Sequence, residues 1–136
     1  MLLLNPGPVT LTERVRKSLL RTDLCHRESE FYDLQDEART RLLDVYGLDA
    51  TAWSAAVLTG SGTAAVESMI AALVPHDGKL LVVQNGAYGE RIVDIARQYG
   101  IAHEALVHDW TAEPDLVRIA AQLEADRAIT HVAVVH

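Results

Sequence analysis

Apolar residues recur along this chain at two different periods, and the change from one to the other organises it. Residues 1–9 read as an extended arm, because Asn5-Pro6-Gly7-Pro8 forbids a helix. Thr10-Leu11-Thr12-Glu13 has capping-box spacing, and Leu11, Val15 and Leu19 predict one face of a helix. The polar stretch Asp23 to Glu30 interrupts. Ser29 is expected to cap a second helix whose apolar face is Phe31, Leu34, Ala38, Leu42 and Val45, with Gly47 closing it.

Beyond that point short apolar runs alternate with helical periods. Ala55–Leu58 is predicted as a short buried strand. Lys79–Gln84, carrying Leu80-Leu81-Val82-Val83, is a second, Ala102–Val107 a third and Thr130–Val135 a fourth. A helix is expected over Thr63–Leu73, a loop over Asn85–Gly89 and a helix over Glu90–Tyr99 closed by Gly100. A last helix carries Pro114 in its first turn and Leu116, Ile119, Ala120 and Leu123 on its apolar face. Strands alternating with helices predict an α/β fold, a parallel sheet with helices on both faces. Such sheets bind ligands beyond the carboxyl ends of their strands. Three segments follow predicted strands and are expected on that edge: the Gly60–Thr63 turn, the Asn85–Gly89 loop and His136.

Composition narrows the function classes. Hydrophobic residues make up 49% of the 136, enough for a core and against disorder. The formal charge of −7 argues against a general nucleic-acid surface, so an anionic ligand must be held by local groups. No apolar stretch is long enough to span a bilayer, and the Met1-Leu2-Leu3-Leu4 run is too short for a signal peptide. Cys25 is the only cysteine; it excludes an intrachain disulfide, fits a cytoplasmic setting, and is expected to be a buried small residue rather than a nucleophile. The histidines show no metal-ligand spacing, so no metal site is expected.

The candidate chemistry centres on Leu58-Thr59-Gly60-Ser61-Gly62-Thr63-Ala64-Ala65-Val66-Glu67. A Gly/Ser/Thr turn opening a helix presents unpaired amides and small hydroxyls where the helix dipole favours an anion. No Gly-Lys-Ser/Thr follows, so it is not a Walker loop, and Val66 stands where a dinucleotide fingerprint needs its third glycine. By itself the turn is an anion seat or a ligand-free turn. Tyr88, between two glycines, either stacks on a flat ligand or packs on its loop. Asn5 to Pro8, His26-Arg27 and His136 either face a ligand or are an ordinary turn, a solvated pair and a satisfied histidine.

Taken together, Leu4-Asn5-Pro6-Gly7-Pro8, Cys25-His26-Arg27-Glu28, Thr59 to Glu67, Asn85-Gly86-Ala87-Tyr88-Gly89-Glu90-Arg91 and His131 to His136 resemble, in order, the class V, fold-type I aminotransferases that use pyridoxal phosphate. The resemblance implies the N-terminal part of the large parallel-sheet domain of the fold-type I PLP-transferases: an arm over 1–12, and the start of the cofactor-binding domain over 13–136. It implies that Ser61, Gly62 and Thr63 hold the cofactor phosphate and that Tyr88 stacks on the pyridine ring. Asn5, Pro6 and Gly7, with His26 and Arg27, would face the substrate. The implied reaction moves the amino group of 2-aminoethylphosphonate to pyruvate, giving phosphonoacetaldehyde and alanine. The implied partners are a small amino donor and a keto acid, and the implied assembly is a homodimer. Alternatives are a lyase releasing ammonia from a hydroxylated aminophosphonate, an alanine– or serine–glyoxylate type aminotransferase, and a non-catalytic anion-binding α/β module. Neither Lys17 nor Lys79 matches the family's Schiff-base lysine. That lysine is expected downstream, no catalytic residue is expected in this chain, and the 136 residues alone are expected to be inactive.

Overall fold

The computed structural model describes residues 2, 3, 5 and 7–135, arranged in two compact units divided after Val57. The first unit holds α1 (Glu13–Ser18) and α2 (Ser29–Val45). Its arm doubles back locally, the Leu3 amide donating to Thr10 Oγ1 at 2.7 Å. α1 starts at Glu13, so its cap is Thr12, whose hydroxyl accepts from the Val15 amide. The expected capping box is thereby replaced by a simple N-cap two residues later. Likewise Ser29 is the first helical residue of α2 and not its cap. Glu28 stands at the cap without a side-chain bond, and Ser29 Oγ donates to Glu30 instead. The protected stripe of α2 also differs from expectation. Leu43 is buried and Phe31, Leu34, Gln35 and Arg39 are half-buried, while Leu42 and Val45 are exposed. Gly47 closes the helix as expected, at φ 62°. Cys25 is exposed, against the expectation of burial.

The second unit contains α3 (Gly62–Leu73), β1 (Lys79–Gln84), α4 (Ala87–Gln98), β2 (Ala102–Val107), α5 (Leu116–Ala125) and β3 (Ile129–Val134). Its sheet is parallel, in the order β2-β1-β3. The segment Ala55–Leu58 forms no strand among the described residues, and Val57 and Leu58 are 47% and 59% exposed. A short apolar run supplies the side chains of a strand but not the neighbouring ladder that holds one. The last strand begins one residue early. Pro114 precedes the Asp115 cap of α5 and so stands outside its first turn; the Asp115 carboxylate accepts from the amides of Val117 and Arg118, which fixes the start.

β1 is the centre of the core. Leu80, Leu81, Val82 and Val83 are each 2% exposed or less, which a half-buried alternating strand would not allow. Alternation sends Leu80 and Val82 to one face, where Ile70 of α3, Val74 just after it, and Ile92, Val93, Ile95 and Ala96 of α4 join them. Tyr99 ties these helices further by donating to Glu67 Oε1 at 2.6 Å, a bond that raises the phenol pKa. Lys79, Leu81 and Val83 point to the other face. There Gln122 of α5 donates to Glu104 at 2.8 Å, and Lys79 Nζ donates to both Glu104 and Asp126 at 2.8 Å. These bonds explain how a glutamate is accommodated inside β2.

The Lys79 network sets a pH dependence. Its hydrogen bond to Lys79, followed by one from the Ala128 amide, holds the Asp126 carboxyl below its ordinary 3.8. A depressed carboxylate contributes stability above the unfolded-state value, and that contribution is lost as pH falls through the folded value. Asp126→Asn keeps an oxygen for the Ala128 amide but removes the charge. The stability gap between wild type and Asp126→Asn, read from urea midpoints, is therefore expected to stay constant near neutrality and to close as pH drops below about 4. A gap that persists unchanged in acid contradicts this account.

Candidate active site

The carboxyl end of β1 is built by close packing. The Asn85 side-chain amide donates to the Val135 carbonyl at 2.7 Å, joining the ends of β1 and β3. Gly86 then turns the chain at φ 145°, a conformation that side chains disfavour. α4 starts at once, at Ala87, so the expected loop over Asn85–Gly89 is only two residues long. Gly89 lies in the first turn against the strand: a Cβ there would stand 2.9 Å from Gln84 Cα. Tyr88 is therefore a helical residue of the first turn, not a loop residue.

α3 starts on the same edge. Ser61 is its N-cap, with Oγ accepting from the Ala64 amide at 3.2 Å. Helix geometry leaves the amides of Gly62 and Thr63 without intrahelical acceptors. Nothing lies within 4 Å of where a Cβ on Gly62 would stand. A cleft of about 430 Å³ opens here, lined by Gly62, Thr63 and Val66 of α3, Tyr88, Arg91 and Ile92 of α4, and Val135 after β3. Two helix N-termini thus border one cleft whose lining, among the described residues, contains no carboxylate and a single cation, Arg91.

Of the four residues expected to hold a cofactor, Gly62, Thr63 and Tyr88 share this cleft. Ser61 is next to its lining, with its hydroxyl oxygen already engaged in the cap. Asn5, Gly7, His26 and Arg27 belong to the first unit, and Pro6 and His136 lie outside the described residues. Sequence reasoning gave Arg91 no role. It lies three residues after Tyr88, one turn along the same helix face, with Cζ 5.3 Å from the ring centroid. Its Nη1 donates to Thr63 Oγ1 at 3.2 Å. Starting the helix at Glu90 hid that pair; a start at Ala87 reveals it. Among the described residues no group of three or more metal-ligating side chains occurs, and no helix is long and apolar enough to cross a membrane.

The same arrangement of helices and strands occurs in solved structures. An alanine–glyoxylate aminotransferase from Nostoc sp. superimposes with a TM-score of 0.84 at 32% identity, over 99% of this chain and 35% of that one. An aspartate aminotransferase of subgroup IV from Thermus thermophilus does so with a TM-score of 0.82 at 28% identity, over 97% and 36%. This is the aminotransferase fold. The sequence resembles that of class V aminotransferases along its whole length. It is 42% identical over 137 residues to the 2-aminoethylphosphonate–pyruvate transaminase of Bacillus cytotoxicus, covering 99% of this chain and 37% of that protein. It is 38% identical over 134 residues to the enzyme of the same name from Lysinibacillus sphaericus, covering 98% and 36%. The chain thus spans little more than a third of the length of the curated relatives it matches. No family model matches it. Within the aminotransferase fold, the cleft described above lies beyond the carboxyl ends of the parallel strands, where such sheets bind ligands.

The Ser61 cap can be tested without any ligand. Ser61→Ala is expected to destabilise the protein by about 1 kcal/mol, and Ser61→Asp, another good cap, by much less. Denaturant titration of the two variants checks this; equal losses would show that the hydroxyl does not cap α3.

Proposed function

We propose that this chain is the cofactor-binding part of a pyridoxal-phosphate transaminase that moves the amino group of 2-aminoethylphosphonate to pyruvate, giving phosphonoacetaldehyde and alanine. The observation that carries the reading is about 40% identity, over 136 residues, to a protein of that name from Vibrio vulnificus, 36% of whose length is covered. The activity is proposed for the whole protein, not for these 136 residues alone. A homodimer in the cytoplasm goes with it.

The cleft suits the cofactor. Two amides and the Thr63 hydroxyl form a donor set for a dianion, with the Arg91 guanidinium bonded to that hydroxyl, and among the described lining residues none is acidic. The half-exposed Tyr88 ring offers a flat apolar surface for a heterocycle. In this reading Gly62 and Thr63 bind the phosphate, Ser61 supports them through its cap and its hydroxyl proton, and Tyr88 covers the ring. When bound, pyridoxal phosphate supplies an electron sink for the carbon bearing the amino group. Asn5, Pro6, Gly7, His26 and Arg27 are proposed as substrate contacts on the sequence resemblance alone.

The chain's own lysines are not suited to anchor the cofactor. Lys79 begins β1, roughly 16 Å of strand away from the cleft end, and is held by Glu104 and Asp126. Those bonds raise its pKa, which keeps it protonated and unreactive as a nucleophile. Lys17 is on α1 of the first unit, paired with Glu13 at 3.7 Å. The anchoring lysine is therefore proposed to come from outside these residues.

The test uses the full-length protein with added pyridoxal phosphate. Alanine is expected to form only when both 2-aminoethylphosphonate and pyruvate are present. Ammonia release without a keto acid would instead establish the lyase. Transfer to glyoxylate alone would favour the activity named for the Nostoc structure, and absence of cofactor absorbance would leave an anion-binding module. Ser61→Asp, which preserves the cap, is expected to weaken cofactor binding roughly tenfold or more through like-charge repulsion. Unchanged affinity in that variant would remove Ser61 from the phosphate seat.

A further inference from the structure

We propose that Arg91 is a positioning residue of the cleft: it aims the Thr63 hydroxyl proton at the ligand's anionic group and holds the Tyr88 ring in place beside it. The inference rests on the reading of the cleft as the cofactor seat, and it assigns work to a residue that sequence reasoning left without any.

Three observations carry it. First, Arg91 Nη1 donates to Thr63 Oγ1 at 3.2 Å across two helices. A hydroxyl has one proton and two lone pairs, so an oxygen that accepts from Arg91 has its own proton free to turn elsewhere. The cleft lies beside it, and Thr63 therefore becomes a directed donor. Second, the guanidinium carbon lies 5.3 Å from the Tyr88 ring centroid, one helical turn away. The same planar group thus restrains the two cleft residues expected to meet opposite ends of the ligand. Third, Arg91 has no carboxylate partner among the described residues. Arg39, Arg41 and Arg97, by contrast, each pair with an acid on their own helix. Its charge is left to strengthen the field of the two helix N-termini.

The planar fork matters. Lysine can supply a point charge to the hydroxyl or to the ring, but not a flat group that serves both. Because the side chain is exposed, its replacement leaves the core of the second unit untouched. This separates positioning from folding.

The experiment titrates full-length protein with pyridoxal phosphate, followed by cofactor absorbance, for wild type, Arg91→Lys, Arg91→Met, Thr63→Ala and the Arg91→Lys/Thr63→Ala double variant. Thermal melting without ligand serves as the folding control. Arg91→Lys is expected to raise the Kd roughly tenfold, and Arg91→Met further, with melting temperatures close to wild type. In the Thr63→Ala background the effect of Arg91→Lys is expected to shrink to the part exerted through Tyr88, because the hydroxyl partner is gone. Wild-type affinity in Arg91→Lys and Arg91→Met overturns the proposal. So does full additivity of the Arg91→Lys and Thr63→Ala losses, which would mean that Arg91 acts on the ligand alone. If Arg91→Met fails to fold, Arg91→Lys and the double variant decide. Should wild type take up no pyridoxal phosphate, the cofactor reading falls separately. Titration with inorganic phosphate then tests Arg91: weaker binding in Arg91→Lys supports its role, and equal binding or none in wild type overturns it.

Discussion

The second unit depends on β1 being buried on both faces. Leu80 to Val83 are almost entirely shielded, with a strand on each edge and α3 and α4 packed over the face of Leu80 and Val82. Burial of four such side chains is a large fraction of what a domain of this size can gain. It also fixes geometry. The turn that leaves the carboxyl end of β1 starts α4 there, and the start of α3 lines the same cleft. Gly89 tightens the arrangement, since its missing side chain lets α4 start against Gln84. The cleft is a consequence of how the strand is covered.

The two ends of β1 carry opposite chemistry. At the amino end Lys79, Glu104, Asp126 and Gln122 are joined in one set of bonds, an ammonium between two carboxylates. At the carboxyl end Arg91 has no acidic partner among the described residues, and helix amides are left without acceptors. A saturated network holds structure together and has little capacity for a ligand. An unsaturated one has the reverse character. The assignment of Lys79 to scaffold and Arg91 to site follows from that contrast more than from either residue's identity.

Much of this was legible in the sequence, and the exceptions have physical causes. Apolar runs located β1, β2 and β3 to within a residue: β1, buried on both faces, reads as an unbroken hydrophobic stretch, whereas β2 and β3 are partly buried and keep only short apolar runs beside their polar residues. The Ser61–Thr63 turn was legible as a helix start with free amides. Ala55–Leu58 was misread because composition reports burial preference, whereas a strand also needs a hydrogen-bonded neighbour. The start of α4 was misread because Gly86 and Gly89 look like loop residues. In fact one makes the turn and the other allows close packing on Gln84. That boundary error concealed the pairing of Tyr88 with Arg91, a relation that exists only at helical spacing. The offset of the α2 stripe toward Leu43 has a similar origin: periodicity locates an apolar face to within about one residue, and packing chooses among neighbours.

A chain with a formal charge of −7 must still attract an anion if the cleft is to work. Net charge is a weak guide here, since exposed charges are screened beyond about 8 Å at physiological salt. At short range the groups that line the cleft count most, and among the described residues they include one guanidinium and no carboxylate. Amides at the start of α3 add a fixed partial positive charge that needs no counter-ion. The acidic surface can then repel unbound anions at long range while the cleft holds one at short range. This combination favours a ligand with an uncharged or cationic part as well as an anionic tail. A bare phosphate gains only from the donors, whereas a ligand with a flat ring also gains the face of Tyr88. Selectivity for such a two-part ligand thus comes from placing ring and donors on neighbouring helix starts, which the coverage of β1 already requires.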